Sequence, residues 1–182
     1  MSIALLELAA AALGALVDEV VFTGGATVEL WITDPAAPEP RPTEDVDVIV
    51  EITTRDTFAD FEQRLRDRGF RHDQLSGVIC RWRHADSDLV LDAMPMDPSI
   101  LGFENRWQGA AVPHAIDRRL PSGASITVVT PPYLIATKLD AFASRGGDDY
   151  IARTREEHGD NVLVRMRPER WLTADYGQRV AT

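Results

Sequence analysis

The segment that most constrains the fold is "PTEDVDVIV" at residues 42–50, where two acidic residues enter a run that is otherwise β-branched and apolar. Asp45 and Asp47 are two positions apart, so in a strand their side chains point to one face, roughly 6.6 Å apart. Charge is costly to bury, and two carboxylates on one face repel each other unless a cation lies beside them. The segment therefore predicts either an edge strand whose acids face solvent or a strand that binds a cation such as Mg²⁺.

The order of the apolar segments predicts an α/β domain with a mixed sheet flanked by helices. Helical spacing, proline at a helix start and glycine at a helix end predict helices at 3–19, from 26 onward, at 55–69 and at 131–145. Apolar and β-branched runs predict strands at 20–23, 46–52, 77–84 and 87–95, and two short strands between 110 and 130. A proline-rich loop is predicted at 33–43, and the arginine-rich residues 151–182 are predicted to form a separate tail or a marginal helical element after a main domain at 1–150.

Charge and cysteine content exclude several classes of protein. A formal net charge of −10 argues against a nucleic-acid binder that relies on overall basic charge. The single cysteine, Cys80, excludes a disulfide within the chain and cysteine-rich zinc sites. The apolar N-terminal segment contains Glu7 and has no basic residue before Arg41, unlike a signal peptide, and no segment is long and apolar enough to span a membrane. We therefore expect a cytoplasmic protein.

Two further features are of the kind that a phosphate or metal site needs. Gly24 and Gly25 follow the predicted strand 20–23, where glycine lets backbone N–H groups approach a phosphate; a simple tight turn is the alternative. Asp92 lies in the apolar run "LVLDAMP" and needs a partner there. If this strand lies beside the strand of Asp45 and Asp47, the three carboxylates could hold two metal ions about 3.5–4 Å apart for phosphoryl transfer.

The chain uses arginine for 18 of its 19 basic residues, and Lys138 is the one lysine. A lysine ammonium is a compact point charge that suits phosphate, whereas arginine is a rigid fork. Lys138 on the predicted helix 131–145 therefore indicates a phosphate contact, although an arginine-biased composition would also leave a single lysine by chance.

The segments "FTGGATVELW", "TEDVDVIV", "LDAMP" and "PPYLIATKLDAF", in this order, resemble the AbiEii/AbiGii-type toxin nucleotidyltransferases of the polymerase-β-like nucleotidyltransferase superfamily. The resemblance covers about residues 1–150 and implies a polymerase-β-type nucleotidyltransferase fold, with these residues as the catalytic core. It also implies roles for individual positions. The triphosphate of an NTP would be bound by Gly24, Gly25, Thr43 and Lys138, and Mg²⁺ by Asp45, Asp47 and Asp92.

The function that this resemblance implies is Mg²⁺-dependent transfer of NMP from an NTP to an acceptor hydroxyl, such as a tRNA 3′ end, by a toxin that has a cognate antitoxin. An RNA acceptor would need a local basic channel, for which the candidates are Arg81, Arg83, Arg118 and Arg119. The acidic pattern S-x-D-x-E-D that follows the lysine helix in the family is not found in "DDYIARTREEHGDNVLVRM", so the C-terminus looks divergent or truncated. Two alternatives stay open: a non-catalytic relative that binds nucleotide or a partner, and a nucleotidyltransferase for a small cationic acceptor such as an aminoglycoside.

Overall fold

A computed structural model describes residues 2–52, 54–102 and 105–144, apart from the side chain of Pro98. The strands of the described residues are β1 Val20–Thr23, β2 Asp45–Val50, β3 Phe70–His72, β4 Arg81–His84, β5 Val90–Pro95, β6 Ile116–Arg119 and β7 Ser125–Val128. Their α-helices are α1 Ser2–Leu13, α2 Arg55–Asp67, α3 Pro98–Leu101, α4 Gln108–Ala111 and α5 Pro131–Ser144. Short 3₁₀ helices span Gly14–Glu19, Gly25–Trp31 and Val112–His114. The predicted domain boundary at residues 150 and 151 lies outside the described residues.

The strands form one mixed sheet in the order β3-β4-β5-β2-β1-β7-β6. The pairs β2–β5 and β1–β7 are parallel, and the other neighbours are antiparallel. The predicted α/β class, a mixed sheet flanked by helices, is therefore confirmed. β2 lies at the centre of the sheet, so the interpretation of "PTEDVDVIV" as an edge strand is wrong.

The larger part of the core lies between one face of the sheet and helices α1 and α2. Val46 and Val48 of β2 are fully buried there, as are Phe61 and Leu65 of α2 and Leu13 of α1. Full burial of such a side chain contributes roughly 1.5–3 kcal/mol to folding. Because side chains alternate along a strand, this packing directs Asp45 and Asp47 to the opposite face of the sheet.

An arginine from the end of α2 caps the end of α1. Arg68 donates hydrogen bonds from Nε to the carbonyl oxygen of Ala12, at 3.0 Å, and from Nη2 to that of Ala11, at 3.1 Å. The last carbonyls of a helix lack partners within the helix and carry a partial negative charge, which a guanidinium satisfies. Gly14 follows α1 with φ +57°, and a Cβ there would lie 2.6 Å from Arg68 Nη2.

Two predicted helices differ from the structure, and three short elements, β3, α3 and α4, were not predicted. The helix predicted at 3–19 divides at Gly14 into α1 and a 3₁₀ helix, because the positive φ of Gly14 ends the α-helix. The helix predicted from residue 26 is the 3₁₀ helix Gly25–Trp31. β3 was not predicted, since its three residues, "FRH", give too short a pattern, and α4 was not predicted either.

Among the described residues, no helix is both long enough and apolar enough to cross a lipid bilayer.

Candidate active site

Four neighbouring strands place polar side chains in one row across the sheet. Thr23 of β1 lies opposite Asp47 of β2, Asp47 lies opposite Asp92 of β5, and Asp92 lies opposite Arg81 of β4. Residues opposite each other in neighbouring strands point to the same face. Asp45, two residues before Asp47, shares that face. The strands predicted to carry Asp47 and Asp92 are thus neighbours, with the two aspartates in register.

This polar row adjoins a second, smaller hydrophobic cluster on the same face of the sheet. Val21, Ile49 and Val129 pack there with Ala111 of α4 and Leu134 of α5. The cluster fixes α5 against the sheet, and α5 carries Lys138 toward the aspartates. The polar row therefore lies where the apolar packing of this face ends.

Arg81 bridges two of the three aspartates. Its Nε donates to Oδ1 of Asp92 at 2.8 Å, and its Nη2 donates to Oδ2 of Asp92 at 2.7 Å and to Oδ2 of Asp45 at 2.8 Å. Thr43 completes the set, because its hydroxyl donates to Oδ1 of Asp45 at 2.9 Å. The hydrogen bond with Asp92 raises the pKa of Arg81 further above its usual range. All four carboxylate oxygens of Asp45 and Asp92 thus accept a hydrogen bond.

Asp47 is in a different environment. Burial, followed by repulsion from Asp45 and from Asp92, raises the pKa of Asp47 from 3.8 to about 7, although Lys138 and Arg81 act in the opposite direction. The described residues supply hydrogen-bond donors to the other two aspartates but none to Asp47. Asp47 is therefore the carboxylate whose negative charge is least compensated.

The glycine pair lies directly against these carboxylates. Gly24 has φ +75°, and a Cβ at this position would lie 1.8 Å from Oδ2 of Asp47. A Cβ at Gly25 would lie 3.1 Å from the hydroxyl oxygen of Thr43. The hydroxyl of Thr27 donates to the carbonyl of Gly24 at 3.0 Å and fixes the turn. Glycine at position 24 is thus required both by its backbone conformation and by the approach of Asp47.

Lys138 lies on the exposed side of α5 and is close enough to Asp47 to lower the pKa of that carboxyl. Asp140, two residues further on, pairs instead with Arg106, whose Nε lies 3.1 Å from its Oδ1. The structure thus brings the predicted residues Asp45, Asp47 and Lys138 to one side of the sheet. Thr43, Asp92, Gly24 and Gly25 lie in contact with the same group.

The four arginines expected to line one channel do not lie together. Arg81 and Arg83 belong to β4, whereas Arg118 and Arg119 belong to β6 at the far edge of the sheet, five strand spacings or about 24 Å away. The guanidinium of Arg118 lies 4.3 Å from the ring centre of Trp31. At most one of these two pairs of candidates can therefore line a local channel at the aspartates, and Arg118 and Arg119 lie too far from them.

Within the described residues, no three His, Cys, Asp or Glu side chains are placed as the ligands of a metal ion. The donor chemistry nevertheless fits a divalent cation, because three carboxylates share one face and the pKa of Asp47 is raised, first by burial and then by repulsion from the other two. The carboxylates are not arranged as metal ligands because the guanidinium of Arg81 occupies oxygens of both Asp45 and Asp92. The residues fit Mg²⁺ if Arg81 gives up part of these contacts.

A mixed sheet flanked by helices, with a glycine turn packed on paired carboxylates of a central strand, is compatible with a nucleotidyltransferase fold. The family described as "Nucleotidyl transferase AbiEii toxin, Type IV TA system" matches residues 7–156, which is more than half of the chain. The chain belongs to this family of nucleotidyltransferase toxins from type IV toxin–antitoxin systems, and the predicted resemblance is confirmed. No curated protein sequence matches the chain.

The role of Arg81 inside the carboxylate group was not predicted, because the sequence indicated Arg81 only as a candidate for an acceptor channel. Its position follows from the β4–β5 register, in which Arg81 lies opposite Asp92. The sequence contains one signal for it: in the hairpin predicted at 77–84 and 87–95, the arginine and the aspartate lie at positions that a short turn brings together.

Proposed function

We propose that the protein is a Mg²⁺-dependent nucleotidyltransferase that transfers NMP from an NTP to an acceptor hydroxyl and releases pyrophosphate. The observation that carries this proposal is the register of β2 and β5, which sets Asp47 beside Asp92, with Asp45 on the same face and Lys138 nearby. Carboxylates in this number on one sheet face, against a glycine turn, form a donor set suited to a cation and a phosphate.

In this proposal Asp45, Asp47 and Asp92 hold Mg²⁺, which when bound neutralises phosphate charge and favours displacement of pyrophosphate. Lys138 supplies a point charge to the triphosphate. Gly24 lets Asp47 lie directly against the turn, because a Cβ at this position would overlap Oδ2 of Asp47. Gly25 and Thr43 lie at the same turn. The catalytic core would extend over residues 1–150, with residues 151–182 as a divergent C-terminal tail or a marginal helical element.

For the acceptor we propose RNA, such as a tRNA 3′ end, and for regulation a cognate antitoxin; both would meet the protein in the cytoplasm. Support for a polyanionic acceptor comes from Arg83 of β4 and Arg71 of β3, which are exposed and lie opposite each other on the face that carries the aspartates. Such a local basic edge is compatible with a net charge of −10.

The test is to incubate the full chain with Mg²⁺, each α-labelled NTP in turn, and either total RNA or small cationic acceptors. Label in RNA and released pyrophosphate are the expected results. Asp45→Ala and Lys138→Ala should abolish transfer, whereas Asp88→Asn, a change of an exposed acid outside the site, should not. Transfer that survives Asp45→Ala would show that the site is assigned wrongly. Label in the small acceptors alone would show that the acceptor is not RNA.

One observation favours a second candidate, a relative that binds nucleotide without transferring it. Arg81 pairs with both Asp45 and Asp92 and offsets one of their two negative charges, as expected for a site that no longer needs a metal ion. Thermal stabilisation by NTP without release of pyrophosphate, under all the conditions above, would favour this candidate.

A further inference from the structure

The guanidinium of Arg81 occupies the position between Asp45 and Asp92 that a bound cation would compete for. Its Nη2 is shared between Oδ2 of Asp45 and Oδ2 of Asp92, at 2.8 and 2.7 Å. A carboxylate oxygen that accepts a charged hydrogen bond is less available to a metal ion. The contacts of Arg81 and those of a divalent cation are therefore alternatives at these oxygens.

The two contacts of Arg81 differ in strength. With Asp92 it forms a two-point pair through Nε and Nη2, and the Asp92 side chain is only 9% exposed. With Asp45 it forms a single contact, and the Asp45 side chain is 32% exposed. Two-point arginine pairs are stronger and better oriented than single contacts, and exposed pairs contribute little. The contact with Asp45 is thus the one that yields first.

We propose that Arg81 is a positioning residue that acts as the internal counter-cation of the site, holding Asp45 and Asp92 together in the metal-free protein and releasing Asp45 when a divalent cation binds. Arg81 retains its Nε contact with Oδ1 of Asp92, which keeps that carboxylate oriented across the β4–β5 register and leaves Oδ2 of Asp92 for the cation. This inference rests on the proposed function only in that the carboxylates bind a divalent cation.

The proposal predicts opposite effects of one substitution on two properties. Arg81→Gln removes the competing charge, so the affinity for Mn²⁺, used as a probe for Mg²⁺, should rise about tenfold, within the range typical of coupled sites. The same substitution leaves Asp45 and Asp92 without their cation, so the metal-free melting temperature should fall. A residue with a purely structural role would lower stability without raising the affinity for the metal.

Mn²⁺ binding to the full chain is measured by isothermal titration calorimetry and by the loss of the free Mn²⁺ signal in electron paramagnetic resonance. Arg83→Gln is the matched control, because Arg83 lies two residues further along β4 on the same face and pairs with Asp73, at 2.6 Å, rather than with Asp45 or Asp92. Arg81→Lys keeps the charge but not the forked guanidinium, and it is used if Arg81→Gln does not fold. It should bind Mn²⁺ more tightly than the unsubstituted chain, but by a smaller factor than Arg81→Gln.

Tighter Mn²⁺ binding by Arg81→Gln, or by Arg81→Lys, with unchanged binding by Arg83→Gln supports the proposal. Equal or weaker binding by the Arg81 variants, while the unsubstituted chain binds Mn²⁺, overturns it and leaves the proposed metal site intact. Failure of every variant and of the unsubstituted chain to bind Mn²⁺ overturns both this proposal and the metal dependence of the proposed function.

Discussion

The buried charge of Asp47 leads to a prediction about folding that needs neither substrate nor metal. Burial and the neighbouring Asp45 and Asp92 raise the pKa of Asp47 from 3.8 to about 7. The folded chain therefore holds this proton more tightly than the unfolded chain does. The stability that this proton binding contributes to the folded chain is complete below about pH 4 and is lost as the pH rises to about 7. The difference between the two pKa values corresponds to about 4 kcal/mol, which is the most that ionised Asp47 can cost at pH 8.

Asp47→Asn removes the ionisable group and keeps the shape of the side chain. We expect it to stabilise the metal-free protein by about 2–4 kcal/mol at pH 8 and by no more than about 1 kcal/mol at pH 4.5, where Asp47 is protonated in the folded chain but mostly ionised in the unfolded chain. Urea unfolding of both chains at pH 4.5, 6 and 8, in the presence of a chelator, measures this difference. Asp88→Asn, at an exposed position, controls for the general loss of negative charge and should show no such trend.

A pH-independent difference between Asp47→Asn and the unsubstituted chain would refute the reasoning, as would a destabilised variant at pH 8. Either result would mean that the Asp47 carboxylate is solvated or paired in solution, and that its crowding with Asp45 and Asp92 does not persist there. Added Mg²⁺ should reverse the order of stability, because a cation stabilises only the chain that retains the carboxylate.

Three more predictions concern single residues. Gly24→Ala should destabilise the fold by roughly 1–3 kcal/mol in urea unfolding and abolish transfer, because its Cβ would overlap the Asp47 carboxylate. The control Gly77→Ala has a similar φ of +71° but open space around it, so it should cost less stability. Equal costs for the two variants would argue against the overlap. Arg68→Ala should lower the free energy of unfolding by about 1–2 kcal/mol in urea unfolding, because it uncaps the end of α1. The exposed Arg71→Ala should change it by no more than about 0.5 kcal/mol. An Arg68→Ala variant as stable as the unsubstituted chain would contradict the capping role. Lys138→Ala should weaken binding of a non-hydrolysable NTP analogue in calorimetry, and unchanged affinity would remove Lys138 from the triphosphate site.

The central strands could be predicted from the sequence because their signals are local. β1 was predicted with its observed bounds, Val20–Thr23, and β2 to within a few residues, since both are short apolar runs bounded by glycine, proline or charge. α5 was predicted from its proline start, and it ends within one residue of the prediction. The glycine turn was predicted as a turn, but the approach of Asp47 to Gly24 was not, because it depends on β1 lying beside β2.

The features that the sequence did not predict are those that depend on pairing between distant segments. The pattern of β3 is too short to identify, and its place at the sheet edge follows only from its pairing with β4. The position of Arg81 depends on a register with Asp92, and a shift of one residue would turn the arginine to the other face. Local patterns therefore predicted which carboxylates lie together, whereas the position of the Arg81 guanidinium between them required the structure.

The acids of "PTEDVDVIV" are best understood from the charges on their face of the sheet. β2 is a central strand, so exposure at an edge does not explain why Asp45 and Asp47 are there. Ionised Asp45, Asp47 and Asp92 carry three negative charges, and Arg81 and Lys138 supply two positive ones. A proton on Asp47, whose pKa is about 7, accounts for the remaining charge near neutral pH. The metal-free site is thus close to neutral through a guanidinium contact and a proton, both of which a divalent cation can displace. A face arranged only for stability would not need three crowded carboxylates, since apolar residues at these positions would avoid the cost of burying them.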